Sequence, residues 1–284
     1  MIGCTVSTIG GIGKGIDRAA LLGYQCTQIY TTDSRTWNVD DANLNNLKKY
    51  AELSKINNVQ LIAHAPLIIN LASKDEVIRT KSYFRLRQEV CAAHKCGIST
   101  LVLHPGSTLD NDTQRGINCI IDAIDSVADI CAEYNVNIAL ETMSGQGTQL
   151  GSNFEELSHI ICGVRDNSHV KICLDTCHIH AAGYNIYCPE SLNYVLGIFD
   201  KLIGLHRITA FHLNNTKTEC GKKADRHSSI FDGKISIGTF SSLVCNPRFN
   251  NLPMIIEPPA KDATGPEQVR YLQNIVKGNK YESR

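Results

Sequence analysis

Eight short runs of β-type residues recur along the chain: MIGCTV at the start, QCTQIYTT from Gln25, VQLIAHA from Val59, TLVLHP from Thr100, NIALET from Asn137, VKICLD from Val170, ITAFHLN from Ile208 and PMIIEP from Pro253. Between most of them lie segments with apolar residues at helical spacing, among them Ser73 to Cys96, Thr113 to Tyr134 and Ser191 to Ile203. Strand then helix, repeated eight times, is the pattern of an α/β fold, the (β/α)8 TIM barrel. With 284 residues, 43% of them apolar, the chain can bury one large core, and no linker-like or low-complexity tract divides it. A single domain spanning residues 1–284 is therefore expected. The seventh unit departs from the pattern: a long polar stretch, Asn214 to Gly233, separates its strand from its helix. A loop of that length in a barrel is expected to carry function.

Charge and cysteine usage narrow the classes. Lys plus Arg (28) balances Asp plus Glu (28), so any polyanion must be met by a local patch rather than by a global field. The opening MIGCTVSTIGG has no basic start followed by an apolar run, and no stretch approaches the ~18 apolar residues of a membrane span. A soluble, intracellular (cytoplasmic), monomeric protein without a membrane partner is the expectation. Twelve scattered cysteines, no two spaced C-x-x-C, point to buried packing thiols rather than a disulfide framework or a zinc knuckle.

Six successive strands finish in a side chain that binds hard or borderline metals: His64, His104, Glu141, Asp175, His212 and Glu257. In a barrel these ends converge on one mouth, where the catalytic residues of the fold gather. His178 follows Asp175 by three residues, and Asp225 and His227 lie in the long seventh loop. One His or Glu at a strand end is commonly structural; the set carries the inference. Imidazole and carboxylate without thiolate is the ligand type of catalytic zinc, with Mn or Fe admissible on the same chemistry. Nine groups exceed the needs of one ion and suffice for three if one carboxylate bridges. Clustered metals suit phosphodiester hydrolysis, where activating water and holding the leaving oxygen are separate tasks. His94, His159, His169 and His206 fall in helices or connections and are expected to be ordinary packing or surface residues, and His180 is treated likewise.

At these residues the chain resembles the endonuclease IV family of AP endonucleases. The resemblance rests on ETMSGQGTQLG from Glu141, LDTCHIHAAGY from Leu174, HLNNTKTECGKKADRH from His212 to His227, HPGS from His104 and the IIEP segment holding Glu257, and runs from Gly3 to about Pro258. It implies three Zn2+ per chain, with Mn2+ admissible at one site. His64, His104 and Glu141 would hold the first, and Glu141 would bridge to a second held also by Asp175, His212 and Glu257. His178, Asp225 and His227 would hold the third. Glu141 is thereby the catalytic centre. The implied reaction is hydrolysis of the phosphodiester 5′ to an abasic site in double-stranded DNA, leaving a 3′-hydroxyl and a 5′-deoxyribose phosphate, with 3′-phosphodiesterase or 3′–5′ exonuclease activity left open beside it. TTDSRTW from Thr31 resembles a loop that docks near the lesion, which implies DNA contacts from Arg35 and Thr36, with Trp37 behind them. Leu67 and Ile68 after strand three, and Arg226 in the seventh loop, complete the implied contacts. Lys217, Lys222 and Lys223 would extend the basic strip.

Three positions depart from the family pattern: Leu67 stands where an aromatic residue is common, Asn215 where Asp is usual, and GCTVS lacks the His often found after strand one. A metal-dependent sugar isomerase or epimerase on the same barrel is the competing reading, since Glu141, Asp175, His212 and Glu257 alone fit either enzyme. His64, His104, His178 and the Asp225–His227 pair favour the nuclease.

Overall fold

The computed structural model describes residues 1–37, 47–259 and 263–278. Eight parallel strands form the barrel wall: β1 (Ile2–Cys4), β2 (Cys26–Ile29), β3 (Gln60–His64), β4 (Thr100–Leu103), β5 (Asn137–Glu141), β6 (Val170–Asp175), β7 (Ile208–His212) and β10 (Met254–Ile256). They are ordered β1-β10-β7-β6-β5-β4-β3-β2. The Gln25 N–H donates to the Ile2 carbonyl at 3.1 Å, bringing the two ends of the sheet together. That approach requires glycine at position 3, because a Cβ there would stand 1.7 Å from the Cys26 carbonyl oxygen.

Around the wall lie α1 (Ile12–Leu21), α2 (Lys48–Ile56), α3 (Glu76–Lys95), α4 (Thr113–Asp125), α5 (Ala128–Tyr134), α6 (Phe154–Gly163), α7 (Thr176–Ala182), α8 (Pro189–Leu202), α9 (Ile237–Val244) and α10 (Gly265–Val276). A short antiparallel ribbon, β8 (Asn215–Thr216) with β9 (His227–Ser228), occupies the connection after β7. Among the described residues no helix is long and apolar enough to cross a membrane. The expected helix from Thr113 to Tyr134 is two helices. Val127 leaves helical geometry (φ −120°, ψ 2°), and the second helix ends at Asn135 with φ 52°, a conformation Asn tolerates better than most residues. The helix expected from Ser73 begins instead at Glu76, where the Asp75 carboxylate accepts the Val77 and Ile78 N–H groups and sets the start.

Alternation along the strands places the site. Cys26, Ile62, Val102, Ala139, Cys173, Ala210 and Ile255, one from each of seven strands, pack against one another inside the barrel. The residues between them, such as Leu101, Leu103, Ile138, Leu140, Ile172 and Leu174, belong to the larger core that includes the helices. Because strand side chains alternate with period two, the next inward positions toward the C-terminal end are Gln28, His64, His104, Glu141, Asp175, His212 and Glu257. An apolar layer thus floors a polar one. Cysteine behaves as a small hydrophobe at Cys26 and Cys173, and burial pushes their thiols up to about 12 and about 11 respectively. Expected burial holds for six cysteines, whereas Cys162, on α6, and Cys245, which ends α9, are exposed.

Candidate metal centre

Glu141 lies at the centre of the polar layer and is 1% exposed. Its Oε2 is 3.2 Å from both His64 Nε2 and His104 Nε2, and its Oε1 is 3.1 Å from His212 Nδ1. The two oxygens therefore face two different groups of nitrogens, an arrangement suited to bridging. Burial alone would push this carboxyl up. The fields of His212 and His104 and hydrogen bonds from His104 and His178 outweigh burial and hold it well below the usual carboxylate range.

Several of the neighbouring side chains are oriented by a second contact. His64 Nδ1 lies 2.7 Å from the Ala65 carbonyl and His178 Nδ1 2.8 Å from the Thr142 carbonyl, so these nitrogens carry protons and Nε2 is left facing the cluster. His212 is turned the other way: Nε2–H donates to Gln28 Oε1 at 2.8 Å and Nδ1 faces inward. The Gln28 amide completes a relay by donating to Glu257 Oε1 at 2.7 Å. Asp175 ends β6 and caps α7, with Oδ1 accepting the His178 N–H at 2.9 Å. That cap accounts for the three-residue spacing of Asp175 and His178, and it leaves Oδ2 for the cluster. Asn214 Nδ2 donates to Asp175 Oδ2 (2.6 Å) and Glu257 Oε2 (3.0 Å), while its Oδ1 accepts the Glu257 N–H.

The seventh loop delivers Asp225 and His227 to His178. Gly221 and Lys223 N–H groups donate to the His180 and Ala181 carbonyls of α7, and the Asp225 N–H donates to Gln146 Oε1. Asn215, 1% exposed, clasps the base of this loop: Nδ2 donates to the Ile230 and Ile235 carbonyls, and Oδ1 accepts the Thr216 and Ile235 N–H groups. A Cβ at Gly233 would stand 2.3 Å from Asn215 Oδ1, so glycine is needed beside the clasp. The departure at Asn215 thus places an amide where both donors and acceptors are used, and the loop is held rather than loosened by it.

Five overlapping donor groups result, the donor atoms of each lying within 4.8 Å of one another: His64, His104 and Glu141; Asp175, His212 and Glu257; His178, Asp225 and His227; Glu141, Asp175 and His178; and Asp175, Cys177 and His227. Asp175 approaches the third group as well, 3.9 Å from His227 Nε2. The donor spacings match a metal centre. Zinc with ligands at about 2.0–2.1 Å in tetrahedral geometry requires ligand atoms about 3.3 Å apart, and the nitrogen–oxygen contacts within the first three groups run from 3.2 Å to 3.6 Å. His178 Nε2 and His227 Nε2 are buried without a hydrogen-bond partner, although each is 3.2 Å from an Asp225 oxygen. Buried polar atoms are nearly always satisfied, and two orphaned imidazole nitrogens aimed at one carboxylate fit a cation between them.

The candidate DNA contacts stand on loops at the same end of the barrel. Arg35 and Thr36 are exposed after β2 and Trp37 is half-buried; Leu67 is exposed and Ile68 half-buried after β3; Arg226 is exposed in the seventh loop. Arg35 Nε lies 3.3 Å from Asp33 Oδ1, and Arg226 donates to the Asp225 carbonyl. Lys217, Lys222, Lys223 and Arg226 of the basic strip are all exposed, with Lys217 also pairing with Asp232 at 2.6 Å. Of the histidines set aside, His94 stacks on Tyr134 (4.2 Å) and His169 lies 3.2 Å from Asn137 Oδ1. His180 is buried with Nδ1 unpartnered, which composition and spacing did not indicate. Gln28 and Asn214 were not anticipated as members of the site.

The family model described as xylose isomerase-like TIM barrel matches residues 16–275. The chain is 36% identical over 271 residues to a protein of Trichlorobacter lovleyi called probable endonuclease 4, covering 94% of this chain and 96% of that one. It superimposes on the endonuclease IV of Thermus thermophilus with a TM-score of 0.79 at 24% identity, covering 98% and 99% of the two chains. A D-tagatose 3-epimerase-like protein gives a TM-score of 0.73 at 20% identity with 98% of each chain covered, a likeness of fold.

Proposed function

The chain belongs to the endonuclease IV family of the xylose isomerase-like TIM barrels, and from that membership we propose that it is a zinc-dependent AP endonuclease, hydrolysing the phosphodiester 5′ to abasic sites in duplex DNA with three metal ions. The observation that carries the reading is the convergence of nine His, Asp and Glu side chains in overlapping donor groups, three of which together use all nine, with Glu141 directing one oxygen toward His64 and His104 and the other toward His212. These residues would hold zinc, which when bound would lower the pKa of water to about 7 and neutralise charge on the phosphate. The chain's own residues hold and orient. Gln28 and Asn214 fix the inward faces of His212, Asp175 and Glu257, and the apolar floor excludes water from below. Hydrolysis breaks the P–O3′ bond, leaving a 3′-hydroxyl and a 5′-deoxyribose phosphate. Arg35 and Arg226 would meet the backbone, and exposed Leu67, with Ile68 beside it, offers aliphatic surface to the gap left by a missing base.

An epimerase shares the barrel and would need only Glu141, Asp175, His212 and Glu257. That reading leaves unexplained the orphaned nitrogens of His178 and His227. Incision of a duplex carrying one tetrahydrofuran abasic analogue separates the two. The expected result is a single cut 5′ to the analogue, abolished by chelator and restored by zinc. Activity on keto sugars without incision would overturn the proposal.

Protons and metal ions compete for the third group. Burial disfavours a charged His227, but contact with Asp225 and the fields of Asp175 and Glu257 prevail and raise it to about 9. Against the same burial, Asp175, Asp225 and Glu141 raise His178 well above the usual histidine range. Below about pH 9, zinc must therefore displace protons from this group, and its affinity should fall as pH falls. Zinc titration calorimetry at pH 7 in two buffers of different ionisation enthalpy should give different apparent enthalpies. Identical enthalpies would show that no proton is displaced.

A further inference from the structure

Helix α3 carries a buried ion pair that takes no part in the metal centre. Arg85 is 1% exposed and Glu89 0%, and Arg85 Nε donates to Glu89 Oε1 at 2.8 Å one turn away. Among the described residues, the other hydrogen bonds of both side chains reach a single segment, the loop after β2. Arg85 donates to the Thr36 carbonyl (2.5 Å), the Asp33 carbonyl (3.0 Å) and the Thr32 hydroxyl. Glu89 accepts the Thr31 hydroxyl at 2.7 Å and the Thr32 hydroxyl at 2.5 Å. Residues 31 to 36 are thus tied to the helix at four places, two of them backbone carbonyls.

Removing two charges from water is costly, and a buried pair is often no more stabilising than apolar side chains of the same volume. What such a pair can supply is a specified geometry: guanidinium has a fixed fork of donors and carboxylate two acceptors, so a loop satisfying both has one arrangement. The residue this arrangement presents is Arg35. Its neighbours Asp33 and Thr36 are held by their carbonyls, while its own side chain is 86% exposed and, among the described residues, meets the Asp33 carboxylate.

We propose that Arg85 and Glu89 are positioning residues for DNA: they hold the loop so that Arg35 stands ready at the rim of the barrel mouth, and they govern affinity for the duplex rather than the rate of the bound reaction. The inference rests on the reading that the mouth takes abasic DNA. A loop ordered before binding loses less freedom on docking, so the effect should appear in the dissociation constant.

The test is a double-mutant cycle on the zinc-loaded full chain, with the tetrahydrofuran duplex as probe. Arg85→Met/Glu89→Met removes both charges together and leaves no unpaired ion. Thr32→Val removes only the hydroxyl shared by the pair and serves if the double variant does not fold. Arg35→Ala should raise the dissociation constant about tenfold and lower the slope of its salt dependence. The charge-removed variant should raise it by a similar factor and Thr32→Val by about threefold, each with wild-type zinc content and a saturating single-turnover rate within about twofold. Combined with Arg35→Ala, each should add little. If Arg35→Ala weakens binding while neither loop variant does, the inference falls and the DNA reading stands. If Arg35→Ala has no effect, the loop does not dock through that residue and the inference falls whatever the other variants show. A loss of zinc or of saturating rate in the loop variants would assign the pair to the metal centre and overturn the proposal equally.

Discussion

Glu141→Gln should retain the barrel, bind fewer zinc ions than the wild type and lose incision by about a thousandfold or more. Size is nearly unchanged, so the core has no cavity to fill; what changes is the pair of oxygens. Wild-type Oε2 faces His64 and His104 while Oε1 faces His212. An amide has one oxygen, and its NH2 group turns donors toward whichever set it meets, so one donor group loses its carboxylate outright. A bridging residue therefore disturbs two ions at once. Loss of a single well-placed stabilising group typically costs a hundredfold to a thousandfold, and the expected fall lies at or beyond the upper end because two positions fail together. Zinc per chain by elemental analysis, beside single-turnover incision, measures both effects. Full zinc occupancy with near-normal cleavage would remove Glu141 from the centre of the mechanism.

Asp225→Ala should release one zinc while leaving the fold and the other two donor groups in place. Asp225 comes from the seventh loop, and its oxygens stand 3.2 Å from His178 Nε2 and His227 Nε2, while its backbone N–H donates to Gln146 Oε1 and its carbonyl accepts from Arg226. The loop itself is fastened elsewhere, by the Asn215 clasp and by the bonds of residues 221 and 223 to α7. Truncation at 225 should therefore empty one group without unseating its neighbours. A cation held by His178, Asp225 and His227 would balance charge on the departing 3′ oxygen in the proposed reaction, so its loss predicts at least about a hundredfold slower incision, with abasic-DNA affinity changed much less. Two zincs retained, slow cleavage and a wild-type dissociation constant together would match this. Three zincs and wild-type cleavage would mean that Asp225 holds no ion.

Much of the site was legible because period-two alternation is rigid: once the barrel is inferred, a His or carboxylate two residues beyond an inward apolar residue must face the mouth, as Ile62 with His64 and Ala139 with Glu141 show. Gln28 occupies the equivalent position two residues after Cys26 and was still missed, since an amide is not sought as a ligand; its part is to orient His212 and Glu257. Asn214 escaped for the same reason. The Ala65 and Thr142 carbonyls that select the histidine tautomers are backbone atoms and leave no mark in side-chain identity. An Arg and a Glu four residues apart on a helix ordinarily form a solvated pair; burial of Arg85 and Glu89 depends on where the loop after β2 lies, which local pattern does not encode. The break between α4 and α5 was hidden because its flanks share one apolar periodicity.

Stepwise addition of zinc to the metal-stripped protein, with the single-turnover incision rate on a tetrahydrofuran duplex measured at each step, tests the trinuclear reading most directly. Little cleavage is expected at one equivalent, then a steep rise completed at about three, and one product pair cut 5′ to the lesion with a 3′-hydroxyl. Full incision at a single equivalent, or three equivalents bound with no incision, would contradict it.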